Sequence, residues 1–500
     1  MFDCVESLDK TGPPVYGKLE SWDLTEGGRM EPARVLDFGQ KWIDDGTNEQ
    51  KRFRETMHRE LDKFLDQMTG VFEEERRQTL AELSDTLTQK RGDFLGACLQ
   101  HLLEERYSDE LNREESPCPY CGKLCRKRRD VTKKLQTMHG PCELKRPWFY
   151  CASCGRGFVP LDTEAELSRR EKQFDLQKRA VKLAAQLPFE CASEVFEDLT
   201  GQRMSDHFIH DLFEEVGVQA TLEAATPSKE EISKRIEQAS MGKWRPVLVV
   251  ASDGAHLPTR PKAGRDVKRG PGKYKEAKGF RIYLVGKERI THIASWHQIQ
   301  NEERFGVDLA LAAERIPRER VRIALLGDGA EWLWKHMRIC FPEGREVLDF
   351  YHCSQHVHEV ARVQYGEKSS EAIEWVEATL CRLCYGEVGH VIAGLRRMKP
   401  KTAQADELIR KLVAYLQQHR HRIDYRSLRL GGYPIGSGGI ESANKFICHT
   451  RMKRSGAWWV KATGNLMLGI RCAIYNGTYD HVFGLYKQSS SLLAGEHSVR

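Results

Sequence analysis

The chain has 500 residues, 40% of them hydrophobic, with a net charge of +6 and 15 cysteines; this is too long for one core and too apolar for a disordered chain, so several units are expected. No apolar stretch approaches the ~20 residues of a membrane span, and the start MFDCVESLDK has neither the basic nor the apolar region of a secretory leader, which predicts a cytoplasmic protein with no membrane partner. Odd-numbered cysteines spread over the whole length favour reduced thiols and metal ligands over a disulfide framework, and bunched basic residues suit a polyanionic partner.

Residues 1–46 mix Gly, Pro and charge without a sustained period and are expected to be loosely ordered. Over 47–112, Leu65, Met68, Leu80, Leu83, Leu87, Leu99 and Leu102 recur at threes and fours, which predicts a helical arm for packing or self-association. Segment 113–162 holds two CxxCG turns, Cys118–Cys121 and Cys151–Cys154, joined by a hairpin. Each turn can aim two thiolates at one ion, so a zinc ribbon is expected, with Cys118, Cys121, Cys151 and Cys154 as ligands of a structural Zn²⁺; Cys125 and Cys142 are spare. Arg126, Arg128 and Lys133 on this module are either a solvated face or phosphate contacts. Segment 163–240 is helical, and its pair 190–199 and 205–216 around Gly201 has the outline of a helix-turn-helix, although most such corners do not touch DNA.

The body, 241–354, begins with the apolar run Val247–Ala251 leading to Asp253-Gly254. A basic loop over 261–278 carries Lys268 and Lys273, and a hairpin and a helix over 304–315 follow. The run Ile323–Leu326 ends at Asp328-Gly329, helix 331–341 comes next, and Val347-Leu348 ends at Asp349. Acids thus sit at the exits of the first, fourth and fifth strands, where loops collect chemistry in open α/β sheets. That is the layout of an RNase H-like fold, whose first and fourth strands supply two metal-holding aspartates. A helical insertion, 355–432, and a final part, 433–500, complete the chain. The latter opens on a Gly-rich loop before Glu441, with Lys445, Arg451, Lys453 and Arg454 beyond it as cations for a DNA backbone. Trp458 and Trp459 cannot share a helix face; one packs inward and the other, assigned as Trp459, stacks on a base.

The co-linear set CPYCGK, CASCG, GFVPLD, SDGAHLPTR, GDGAEWLW, LDFYHCSQH, IGSGGIESANK and RMKRSGAWW resembles insertion-sequence transposases of the DDE class, close to the ISKra type within the Mutator-like group, over roughly residues 115 to 475. The resemblance implies a multidomain α/β plus α protein: zinc ribbon, helical DNA-binding region, and RNase H-like catalytic domain with an all-helical insertion. It implies Asp253, Asp328 and Glu441 as holders of two Mg²⁺ or Mn²⁺ ions, with Asp349 and His352 as support. The implied activity is DNA cleavage and strand transfer at the ends of a mobile element, by a nucleoid-associated homodimer or higher oligomer on double-stranded DNA. A zinc-ribbon DNA-binding regulator derived from a transposase, and a nuclease without strand transfer, are the alternatives. For the third carboxylate, Asp349 is favoured by proximity and Glu441 by the glycines that let its backbone approach the sheet.

Overall fold

The computed structural model describes residues 48–72, 77–240, 245–261, 270–286 and 290–494. The expectation for residues 1–46 and the proposed contact Lys268 lie outside them. Two compact units divide the chain, Met1–Leu65 and Asp66–Arg500. The described part of the first belongs to helix α1 (Asn48–Phe72); all other elements belong to the second. No helix among the described residues is long and apolar enough to cross a membrane.

Helix α2 (Leu80–Arg106) starts at a capping box, in which Thr79 and Glu82 satisfy each other's backbone amides. Strands β1 (Glu115–Pro117), β2 (Leu124–Thr137), β3 (Gly140–Cys151) and β4 (Arg156–Phe158) form an antiparallel sheet in sequence order. Helix α2 is packed on this sheet. Gly140, at φ +119°, approaches α2 so closely that a Cβ there would lie 2.0 Å from the Gly92 carbonyl oxygen, a contact only glycine permits.

Four helices lead to the body: α3 (Phe174–Ala184), α4 (Phe189–Thr200), α5 (Asp206–Gln219) and α6 (Lys229–Ala239). Gly201 in the left-handed region ends α4, and Ser205 caps α5 by accepting from the Phe208 amide at 3.3 Å. The helix-turn-helix outline is therefore present, but its second helix is poorly made for DNA. Ile209, Leu212, Phe213 and Val216 bury one face of α5, while the other carries Asp206, Asp211, Glu214 and Glu215. An acidic face disfavours phosphate at this position.

The body is a sheet ordered β7-β6-β5-β8-β9, built from β5 (Val247–Thr259), β6 (Lys273–Val285), β7 (Ile290–Ile299), β8 (Arg322–Gly327) and β9 (Arg345–Leu348). The first three strands are antiparallel, and β8 and β9 run parallel to β5 and β8. Helix α7 (Glu302–Ala313) precedes β8, and α8 (Glu331–Cys340) connects β8 to β9. Strand β5 does not stop at Asp253: its pairing with β8 ends at Ala251↔Leu326, whereas its pairing with β6 continues to Thr259↔Lys273. Asp253 therefore sits where the sheet opens, and residues 273–278, expected in a loop, are strand.

After β9 come α9 (Phe350–Tyr365), α10 (Ser370–Cys384), α11 (Val388–Arg397) and α12 (Ala403–Gln418), then α13 (Gly438–Asn444), a π-helical turn Lys445–His449, α14 (Lys461–Asn476) and α15 (Tyr479–Ala494). A single hydrophobic core runs from Phe174 to Tyr486 through the lead-in helices, the sheet and the insertion. The buried Arg471 fixes the π turn by donating to the Ile447 carbonyl at 2.7 Å, to the Phe446 carbonyl and to that of Ala185. Carbonyls that a regular helix would spend internally are thus turned to a guanidinium.

Candidate active site

Asp253, in mid-strand, accepts from the Gly254 amide at 2.7 Å and from Asn444 Nδ2 at 2.7 Å. The other end of Asn444, its Oδ1, lies 2.8 Å from His297 Nε2. Since the amide nitrogen is committed to Asp253, that oxygen must accept, which puts the His297 proton on Nε2. Burial holds His297 down to about 4, so the ring is neutral. The relay His297–Asn444–Asp253 thus aims one carboxylate from α13.

Asp328 follows β8. One oxygen accepts from the Ala330 amide at 3.0 Å, and the Asp328 carbonyl accepts from the Tyr415 hydroxyl at 3.3 Å. The helical insertion therefore reaches back to the end of the strand. Glu441 stands exposed in the first turn of α13, with Ser437 Oγ 2.6 Å from its Oε1. Gly439 makes the docking of that turn possible, because a Cβ there would meet the Tyr283 ring at 2.7 Å; Arg281 clasps its carbonyl.

Electrostatics ties these acids together. Burial raises the pKa of Asp253, the Gly254 amide opposes that, and the negative charges of Asp328 and Glu441 raise it further while His352 lowers it. Asp253 therefore feels the charges of Asp328 and Glu441, two carboxylates from distant segments of the chain. Asp349 behaves differently. It is 0% exposed; Oδ1 accepts from the Ser437 amide at 2.8 Å, and Oδ2 from the His352 amide at 3.1 Å and from Nδ1 at 2.5 Å. Burial would raise it, but these hydrogen bonds with His352 and Ser437 hold it below the usual carboxylate range. The hydrogen bond to Asp349 in turn raises the pKa of His352, against burial and with help from Asp328 and Asp253. Asp349 is sealed and fully engaged, whereas Glu441 is exposed to solvent.

In the small sheet, Cys118, Cys121, Cys151 and Cys154 bring their sulfurs within 4.8 Å of one another. Cys118–Cys154 and Cys121–Cys151 are 3.9 and 3.7 Å apart, close to the ~3.8 Å edge that Zn–S bonds of ~2.3 Å give a tetrahedron. Amides of Cys154 and Ser153 pull the pKa of Cys151 down, as a thiolate ligand requires. Among the described residues this is the group compact enough to hold one ion, and the set could bind zinc. Cys125 is buried beside it, with its sulfur 3.5 Å from the Lys123 carbonyl oxygen.

The proposed DNA contacts divide. Arg126, Arg128, Lys273, Lys445, Lys453 and Arg454 are exposed. Lys133 is not: it lies 3.5 Å from Asp162 beside Arg146, and burial lowers its pKa. Arg451 is buried, donates to the Ala184 carbonyl at 3.2 Å and stacks on Trp459. Trp459 is also inside, its indole donating to the Met452 carbonyl at 3.1 Å, and the tryptophan left facing outward is Trp458. Sequence reasoning also missed Ser437, His297 and Tyr415, whose partners are remote in the chain.

Fold and site define a mixed α/β protein with a set of four cysteines that could hold a metal ion. Residues 77–488 match the model of the Uncharacterised protein family UPF0236, and the chain belongs to that family. No curated protein matches. Among solved structures the chain is similar to the Drosophila P element transposase strand transfer complex, at 9% identity over 65% of this chain and 82% of that chain, with a TM-score of 0.26. A likeness at that score carries no weight for function.

Proposed function

We propose that this protein is a DDE-type DNA transposase that cleaves DNA at the ends of a mobile element and joins them to a target. The observation that supports this reading is that Asp253, where the sheet opens, feels the charges of Asp328 and Glu441, in a sheet of strand order 3-2-1-4-5, the order expected of an RNase H-like domain. Their oxygens are the donors Mg²⁺ or Mn²⁺ prefers; the pKa of Asp253 is raised first by burial and further by the charges of Asp328 and Glu441. Two such ions, when bound, would activate water or a 3′-hydroxyl and stabilise charge on the phosphate. The chain's own residues do the rest. Asn444 and the Gly254 amide fix Asp253, Ser437 steadies Glu441, and His352, whose hold on a proton Asp349 strengthens, can donate to a phosphate or leaving oxygen when protonated. Joining two ends calls for at least two copies on the DNA. The test is incubation with a duplex carrying the element's ends and a target plasmid, with Mg²⁺. Joined product is expected; cutting without joining would leave a nuclease, and binding without either would leave a regulator.

Two measurements bear on the same reading. Contacts from the exposed cations Arg126, Arg128, Lys273, Lys445, Lys453 and Arg454 to six phosphates would give log affinity a slope of about −5 against log salt. A flat plot would reject them as DNA ligands. Mg²⁺ should also stabilise the fold. Because the folded-state pKa of Asp253 is raised, the metal-free fold is strained at pH above that value, and the strain disappears as pH falls and the carboxyl is protonated. Mg²⁺ at 100 times its dissociation constant should add about 2.7 kcal/mol, read as a rise in Tm that shrinks as pH is lowered. No rise at neutral pH would argue against a metal site.

A further inference from the structure

Beyond the acids, at the far end of the β5–β6 hairpin, lies a cavity of about 370 Å³ lined by Pro258, Tyr274, Lys453, Arg454, Gly456 and Trp458. Tyr274 and Trp458 are 64% and 38% exposed and meet edge to face, with centroids 6.1 Å apart. Neither ring is loosely placed. The next residue, Trp459, pairs its backbone with β5 through Trp459 N to the Pro258 carbonyl and Arg260 N to the Trp459 carbonyl, both at 3.0 Å. Trp458 itself lies on Gly272, where a Cβ would come within 2.1 Å of the ring. Gly456, at φ +75°, makes the turn that presents it. At the rim, Arg454 is steered by the carbonyls of Thr450 and Gln186, at 3.3 and 3.4 Å, and Lys453 is exposed.

Two fixed aromatic surfaces and two cations around one small cavity are the donor set for a flat π ring joined to an anion. A duplex hides base faces within its stack; an unpaired nucleotide offers one. We propose that this cavity binds an unpaired nucleotide of the DNA substrate, its base against Trp458 and Tyr274 and its phosphate on Lys453 and Arg454. The proposal rests on the reading of the protein as a DNA enzyme and names a feature of the DNA it takes. Strand β5 carries the chain from Asp253 to Thr259, beside this cavity, a span of ~20 Å at ~3.4 Å per residue. The bound nucleotide therefore lies a few steps from the bond that is cut, so the enzyme selects DNA already opened beside that bond, or holds it open.

The experiment uses full-length, zinc-loaded protein without Mg²⁺. It compares a blunt duplex with the same duplex bearing a short single-stranded tail that contains 2-aminopurine. Trp458→Ala should weaken binding of the tailed DNA about five- to a hundredfold, the range for loss of one base–aromatic stack. The blunt duplex should change by less than about twofold, and Trp458→Phe should restore most of the loss. Fluorescence of 2-aminopurine should be quenched by the parent and the Phe variant and not by the Ala variant. If Trp458→Ala fails to fold, Tyr274→Ala takes its place with the same selectivity expected. Equal weakening of both DNAs, or of neither, overturns the nucleotide site and leaves the DNA reading standing. A parent protein that binds neither DNA overturns both, and capture of an acidic peptide in preference to tailed DNA overturns the assignment of the occupant.

Discussion

Glu441→Gln is expected to leave DNA affinity near that of the parent and to lower Mg²⁺-dependent cleavage by about three orders of magnitude. The substitution keeps the shape of the side chain, and Ser437 Oγ, 2.6 Å from Oε1, can still donate to an amide oxygen. What is lost is the open charge that would complete the metal site; a contribution of about 4 kcal/mol from bound metal is about a thousandfold in rate at 1.36 kcal/mol per tenfold. Asp349→Asn should be milder in rate and costlier in stability. Its oxygens accept from Ser437 and His352 at 0% exposure, so an amide group sets donor against donor and should cost about 1–3 kcal/mol. It also removes the partner that raises the pKa of His352. Should the glutamine variant cut at near the parent rate while the asparagine variant is folded and inactive, the triad must be redrawn with Asp349.

The second large effect concerns the four cysteines. Cys151→Ser should abolish tight zinc binding and unfold residues 115–160 locally, because the core beneath the knuckles consists of Cys118, Cys125, Phe149, Cys151 and Phe158, three of the five being thiols. Structural zinc contributes roughly 10–16 kcal/mol in small metal-folded modules, far more than so small a core can replace. Zinc content and amide exchange check this. Protection should collapse over β1–β4 and persist in β5 and β8, and full zinc occupancy in the variant would reject the ligand set. Cys125→Ser should keep the metal, which separates the spare thiol from the ligands.

Where a feature is written in neighbouring residues, it was legible. The knuckles, the strand–helix–strand from Arg322 to Leu348 and the placement of Glu441 in the first turn of a helix all follow from short-range period and turn chemistry. Asp253-Gly254 misled because Asp-Gly reads as a turn; here Gly254 stays in the strand and makes room for Glu276, whose oxygen would lie 2.0 Å from an added Cβ. Side-chain partners were the hidden part. Whether Trp458 or Trp459 faces out depends on the bridge of Trp459 to Thr259, and Lys133 looks like any surface cation until Asp162 is brought beside it. Ser437 meets Asp349 across 88 positions, which no local pattern announces.

Asn444 and Asp253 are 191 positions apart, and at a synthesis rate of ~5–20 residues per second some 10–40 s separate their emergence from the ribosome. On the proposed reading, a chain in which Asp253 and then Asp328 have emerged but Glu441 has not would be unable to cut DNA, so the activity would be withheld until synthesis is nearly complete. On the same reading, a fragment ending ahead of Glu441 would keep Arg126 and Arg128 without the third acid, and would compete with the full-length protein for DNA without cutting it.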